Sequence, residues 1–147
     1  MKTFSQFNES IRDKMIPKSD EDIRKSMGTL NPTQKLFWGS KHSLLWLIEE
    51  ALEEGADIHD RNDLPLKLVI TNKNIEMIEF LLKKGANIHV DDDYPIRIGV
   101  DYGDIEMIEL LLKYGANPYA NDSYAYQIAK ENGRNDIIKL FNKYEKI

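Results

Sequence analysis

The dipeptide Gly-Ala occurs at Gly55-Ala56, Gly85-Ala86 and Gly115-Ala116, so it returns after 30 residues both times. In the same register Ile75-Glu76-Met77-Ile78-Glu79 recurs identically as Ile105-Glu106-Met107-Ile108-Glu109, and Leu81-Leu82-Lys83 recurs as Leu111-Leu112-Lys113. A period of this length describes a stack of supersecondary units, each too small to bury its apolar side without a neighbour. The repeat therefore sets the architecture before any other feature is read.

Each unit holds two short helices. The second carries Ile75, Ile78, Leu81 and Leu82, then Ile105, Ile108, Leu111 and Leu112, at the spacing of one buried helical stripe. Glycine at 55, 85 and 115 stands where a helix ends on a residue of positive φ. Pro65 and Pro95 open the first helix, at a position whose amide hydrogen has no helical partner. Extending the frame backward gives a diverged first unit, with Leu45, Ile48 and Leu52 on the stripe. Extending it forward gives a last unit in which Asn135 and Asn142 replace apolar positions, as expected of a polar terminal cap. The units fall at about 36–65, 66–95, 96–125 and 126–147, behind an N-terminal segment of residues 1–35.

That segment does not repeat. Thr3 can cap a helix whose apolar face is Phe4, Phe7, Ile11 and Met15, ended by Pro17. Ser19-Asp20-Glu21-Asp22 reads as the start of a second helix through Ile23 and Met27, stopped at Gly28. The first of these is expected to cap the open end of repeat one, or else to dock a partner. Asn31-Pro32 begins the first helix of repeat one.

Gly85-Ala86-Asn87-Ile88-His89 and Gly115-Ala116-Asn117, each after a Leu-Leu helix, resemble the ankyrin repeat. The resemblance spans residues 36–147 and implies an all-α solenoid of stacked helix-turn-helix units with short hairpin or loop fingers and an N-terminal helical cap. The family's Thr-Pro-Leu-His opening reads here Leu64-Pro65-Leu66-Lys67, Tyr94-Pro95-Ile96-Arg97 and Tyr124-Ala125-Tyr126-Gln127, so the usual bracing hydroxyl and imidazole are absent. The usual period is about 33 residues, and the shortening falls between the Gly-Ala motif and the first helix, so the finger must be short. The short form, with Asp92-Asp93-Tyr94 and Asp122-Ser123-Tyr124, is similar to ankyrin proteins of giant DNA viruses. Separately, Met1-Lys2-Thr3-Phe4 with Phe7 and Glu9 resembles the cleavable capsid-targeting leaders of internal proteins of tailed bacteriophages.

Composition narrows the function classes. A net charge of −5 with a pI near 5.2 leaves no general basic face for phosphate, which argues against nucleic-acid binding. Without cysteine there is no disulfide framework and no thiolate metal site. No apolar run approaches the roughly 20 residues of a membrane helix. The protein is expected to be monomeric and cytoplasmic, in a host's cytoplasm if it is viral.

Catalytic and metal chemistry finds no motif. His59 and His89 are one repeat apart, on the order of 10 Å, too far to share a zinc ion. Asp91-Asp92-Asp93 lacks the glycine and closing glutamate of a calcium loop and is expected to be a solvated loop. His42 is expected to face solvent near the concave side, and Trp38 to lie in the core. Trp46 aligns with the exposed Glu76 and Glu106 and is expected to be covered by the N-terminal helix. No catalytic residue, metal ligand or cofactor is expected.

The family resemblance implies a concave partner-binding groove. Carried over position by position, it runs through Lys41 and His42, Thr71 and Asn72, Asp101 and Tyr102, and Glu131 and Asn132. The finger tips are Arg61 and Asn62, Asp91 and Asp92, and Asn121 and Asp122. Tyr102 is the expected anchor. The function implied is non-catalytic binding of a partner protein, as an adaptor or inhibitor; the alternative is a virion-packaged protein delivered by its leader.

Overall fold

The structure, a computed structural model, describes residues 20–145. The expected cap or leader helix through Phe4, Phe7, Ile11 and Met15 lies outside the described residues. Among the described residues all regular structure is helical, with no strand. Contacts divide the chain between Asn31 and Pro32. On the N-terminal side the described residues form helix α1 (Asp20–Met27), followed by Gly28.

From Pro32 onward the helices come in pairs, one pair per repeat. They are α2 (Pro32–His42) with α3 (Leu45–Glu53), α4 (Asp60–Thr71) with α5 (Ile75–Lys83), α6 (Val90–Tyr102) with α7 (Ile105–Lys113), and α8 (Ala120–Glu131) with α9 (Asn135–Glu145). The first helices stack α2 on α4 on α6 on α8, and α5, α7 and α9 stack behind them. Each interface seals the apolar side of the unit before it, giving one continuous core from Leu36 through Ile78 and Ile108 to Phe141. Ile78, Leu81, Ile108 and Leu111 have no solvent exposure, in agreement with the periodic stripe. Met77 and Met107 are buried beside them, a second row that the stripe does not contain.

Local chemistry explains the ends of the helices. Asn74 and Asp104 cap α5 and α7 by accepting the backbone N–H groups of Met77 and Met107 at 3.1 and 3.0 Å. At the other end Gly85 and Gly115 adopt φ of 99° and 90°. The Ala86 amide then donates to the Leu81 carbonyl and the Gly85 amide to that of Leu82, the paired bonds of a Schellman closure. This is why Gly-Ala marks the period.

The fingers are not hairpins. Within the span of α4 the residues Arg61, Asn62 and Asp63 are all left-handed, as are Asp91, Asp92 and Asp93 in α6 and Asn121, Asp122 and Ser123 in α8. Each tip is thus a three-residue left-handed turn, and the helix proper starts just before Pro65, Pro95 or Ala125. Left-handed backbone costs an L-residue roughly 1–2 kcal/mol, least for Asn and Asp, whose short polar side chains bond locally. All but Arg61 and Ser123 among these tip positions are Asp or Asn. The acidic run of repeat three therefore suits this backbone, which Arg61 and Ser123 adopt as well.

The expectation that Asp91-Asp92-Asp93 forms a solvated loop needs correction at its last member. Asp63 and Asp93 are only 4% and 5% exposed. The Asp63 carboxylate accepts the Asn87 backbone N–H of the following repeat at 2.7 Å, and Asp93 accepts that of Asn117 at 2.7 Å. The imidazoles of His59 and His89 approach the same carboxylates at 3.1 and 3.0 Å. These pairs take over the bracing for which the family's threonine and histidine are missing.

Candidate functional site

Contacts between successive repeats place the first helices and the turns on one surface. Lys67 on α4 reaches Asp91 in the next turn at 2.9 Å, beside the Asn62 amide at 2.7 Å from the same carboxylate. Arg97, one repeat on, instead donates to the Asp91 and Asp92 carbonyl oxygens of its own turn. Gln127 does the same for Asp122 at 2.8 Å. Positions 67, 97 and 127 stand four residues before Thr71, Asp101 and Glu131, hence on the same helix face. They extend the groove expected from the sequence by a further row. The signal was available there as polar residues at one fixed register inside otherwise apolar first helices.

The expected groove residues lie as follows. Lys41 and His42 end α2, exposed; His42 stacks on the buried Trp38 ring, centroids 4.6 Å apart. Burial first, and the Lys41 ammonium second, hold the His42 pKa below its ordinary value, so the ring is neutral at pH 7. Thr71 donates its hydroxyl to the Lys67 carbonyl, and the Asn72 amide bridges the carbonyls of Ser40 and Lys41 in repeat one at 3.1 and 2.9 Å. Asn72 thus ties two repeats together. Asp101 and Tyr102 end α6, with the Tyr124 hydroxyl donating to Asp101 at 3.3 Å. Glu131 and Asn132 close α8, both exposed.

At the tips Arg61, Asn62, Asp91, Asp92, Asn121 and Asp122 are all exposed. The Arg61 guanidinium lies 5.1 Å from the Phe37 ring centre and bonds Asp60. Asp91 is held below the ordinary carboxylate range, first by Lys67 and then by Asn62.

Tyr102 is the exposed large hydrophobic side chain among the described residues, at 38%. The Lys73 ammonium stands 4.1 Å from its ring centroid, close enough for a cation–π contact. Lys73 was not among the expected groove residues. It follows α4 in the left-handed conformation, φ 57°, at the position occupied in the next two repeats by Gly103 and Gly133. A lysine kept where repeats three and four use glycine carries backbone strain, as does Ser43 at the same position of repeat one, a signal visible only after the repeats are aligned.

The opposite surface, formed by the second helices, is different in kind. Glu79 pairs with Lys83 and approaches Lys113, and Glu109 pairs with Lys143. A cleft of about 540 Å³ opens there between α3 and α5, floored by Leu52, Ala56, Ile58 and Phe80. One repeat later Tyr114 replaces Lys84, and its hydroxyl reaches Glu79.

His59 and His89 each face their own aspartate, and no group of three or more His, Asp or Glu arranged to hold a metal occurs among the described residues. No helix among those residues is long and apolar enough to cross a membrane.

The family described as ankyrin repeats (3 copies) matches residues 36–122. The chain belongs to the ankyrin-repeat family, a class of protein–protein interaction modules that are generally non-catalytic. A search of curated proteins returns no match.

Proposed function

We propose that this chain binds a partner protein through the concave face built by its first helices and turns, and performs no catalysis. What supports this is a contrast between two exposed surfaces of repeats two and three. On the second helices even the solvent-facing residues repeat, as Glu76 and Glu106, Glu79 and Glu109, Lys83 and Lys113. On the concave face the register is broken: Thr71 against Asp101, Asn72 against Tyr102, Lys73 against Gly103, Arg61 against Asp91. The second helices differ between these repeats only at Phe80 against Leu110 and Lys84 against Tyr114, and exposure, common to both surfaces, does not explain why the concave face varies more. A rigid scaffold that carries function on its turns and one helix face has this pattern.

Tyr102 supplies a large side chain with few rotatable bonds at the centre of that face, the kind of residue that anchors interfaces. The test is capture of partners from the native source by the full chain, by Tyr102→Ala with Asp101→Ala, and by Glu109→Ala on the opposite surface. Groove binding predicts that a protein retained by the wild type is retained by Glu109→Ala and lost by the double variant. Equal retention by all three would refute it.

A further inference from the structure

The concave face is electrically polarised along the stack. At the end formed by repeats one and two stand Lys41 and Lys73, neither with a carboxylate partner among the described residues. At the end formed by repeats three and four stand Asp101 and Glu131, with Asp92 and Asp122 at the turns, all exposed, while the Arg134 guanidinium that reaches the Gly103 carbonyl there is paired with Asp136. Asp101 accepts only a neutral tyrosine hydroxyl. Lys67, Asp91 and Arg97 lie between the two ends, and their charges are spent on each other or on turn carbonyls.

We infer that the groove takes a peptide segment with separated blocks of charge, acidic over Lys41 and Lys73 and basic over Asp101 and Glu131, in one fixed orientation. The inference rests on the groove-binding reading and adds to it the chemistry and direction of the ligand. Lys41 and Lys73 belong to adjacent repeats, as do Asp101 and Glu131, so the backbone positions that carry the two pairs are centred two repeats apart. At 8–10 Å per stacked helix this is roughly 20 Å. An extended strand covers that distance in about six residues, which sets the spacing of the blocks. Tyr102 lies between them and offers the apolar contact, with the Lys73 ammonium already over its ring.

Charge complementarity of this kind selects orientation and partner more than it adds raw affinity. The reverse orientation would place like charges together at both ends. All four charged residues are exposed, so reversing them does not disturb the core.

A phage-displayed library of random 12-residue peptides, selected on the full 147-residue chain, tests the inference. Enriched peptides are expected to carry acids and bases in separate blocks about six residues apart. Lys41→Glu with Lys73→Glu should weaken their binding at least tenfold, as should Asp101→Lys with Glu131→Lys. The protein with all four reversals should bind them again, turned end for end. A nitroxide on the acidic block should then broaden amide signals near residues 101 and 131, where in the wild type it broadens those near 41 and 73. Peptides without segregated charge that are lost on Tyr102→Ala would overturn the polarity and leave groove binding standing. Peptides indifferent to every groove substitution, or no enrichment at all, would overturn both.

Discussion

The turns of repeats three and four share a backbone and differ in what braces it. Both run through three left-handed residues. In repeat three a buried aspartate, Asp93, sits under His89 and accepts the amide of Asn117 in the next repeat. In repeat four the corresponding pair is Tyr119 and Ser123, and the Ser123 hydroxyl only reaches back to the Tyr119 carbonyl at 3.5 Å. Since the same turn forms with either pair, the turn does not need the carboxylate. The carboxylate is there for the following repeat, and its burial is tolerated because an amide hydrogen and an imidazole satisfy it.

The sharpest test of this division compares one helix position with and without a neighbour. Leu112 is buried against the last repeat, and the equivalent Asn142 is exposed. Leu112→Ala should cost about 2–5 kcal/mol. Asn142→Ala should stay within about 0.5 kcal/mol. Urea unfolding midpoints at unchanged slope measure both, and similar losses would break the equivalence of the two positions.

Next in size is the brace itself. Asp93→Ala leaves the Asn117 amide without its acceptor and should cost about 1–3 kcal/mol, whereas Ser123→Ala should cost about 0.5 kcal/mol or less. Equal effects would mean that the carboxylate serves the turn after all.

The other end of the stack offers a third comparison. Lys35 stands where repeats two and three have Pro65 and Pro95, because α2 starts earlier, at Pro32. Its buried ammonium bonds Glu50 on α3 and Glu54 just past its end. Those bonds, to Glu50 first and Glu54 second, raise its pKa above the ordinary 10.5. Lys35→Met should destabilise by about 1 kcal/mol, since hydrogen bonds to charged groups are lost but both glutamates stay near solvent. A raised folded pKa stabilises below the unfolded value and ceases to as pH climbs through the folded one. The gap between wild type and variant should therefore persist at pH 7 and 9 and close in strong alkali.

The smallest effect separates the two turn contacts made by positions 67 and 97. Lys67 crosses to Asp91 in the next repeat, and Arg97 stays within its own turn. Asp91 is at the surface, where solvent screens the pair, so its lowered pKa contributes little. The contribution is present above the ordinary carboxylate value of 3.8 and disappears as pH falls through the lower folded value. Lys67→Ala should lower the melting temperature slightly at pH 7 and by less as the pH is taken below 3.8, and high salt should erase the difference.

Much of the fold was legible because a short period writes its constraints several times over. Gly-Ala, the Pro positions and the Ile-Glu-Met-Ile-Glu block each mark a helix end or a buried face by local rules. The rows proposed as a groove follow from that register. Lys73 and Lys67 were missed because they matter through contacts across repeats, and Arg97 and Gln127 because they bond the carbonyls of a turn whose form the sequence did not show. The burial of Asp93 was missed for the same reason: a run of three aspartates in sequence looks solvated until the next repeat supplies an amide to one of them.

Sequence alone thus determined the helix pairs, their order and which face of each second helix is buried, since these follow from spacing, capping and turn residues within one unit. Tertiary structure decided the form of the finger, the roles of Asp63 and Asp93 as ties between repeats, and the meeting of Lys73 with Tyr102. Those depend on how one unit is laid on the next, and residues about 24 to 30 positions apart meet only when the stack is formed.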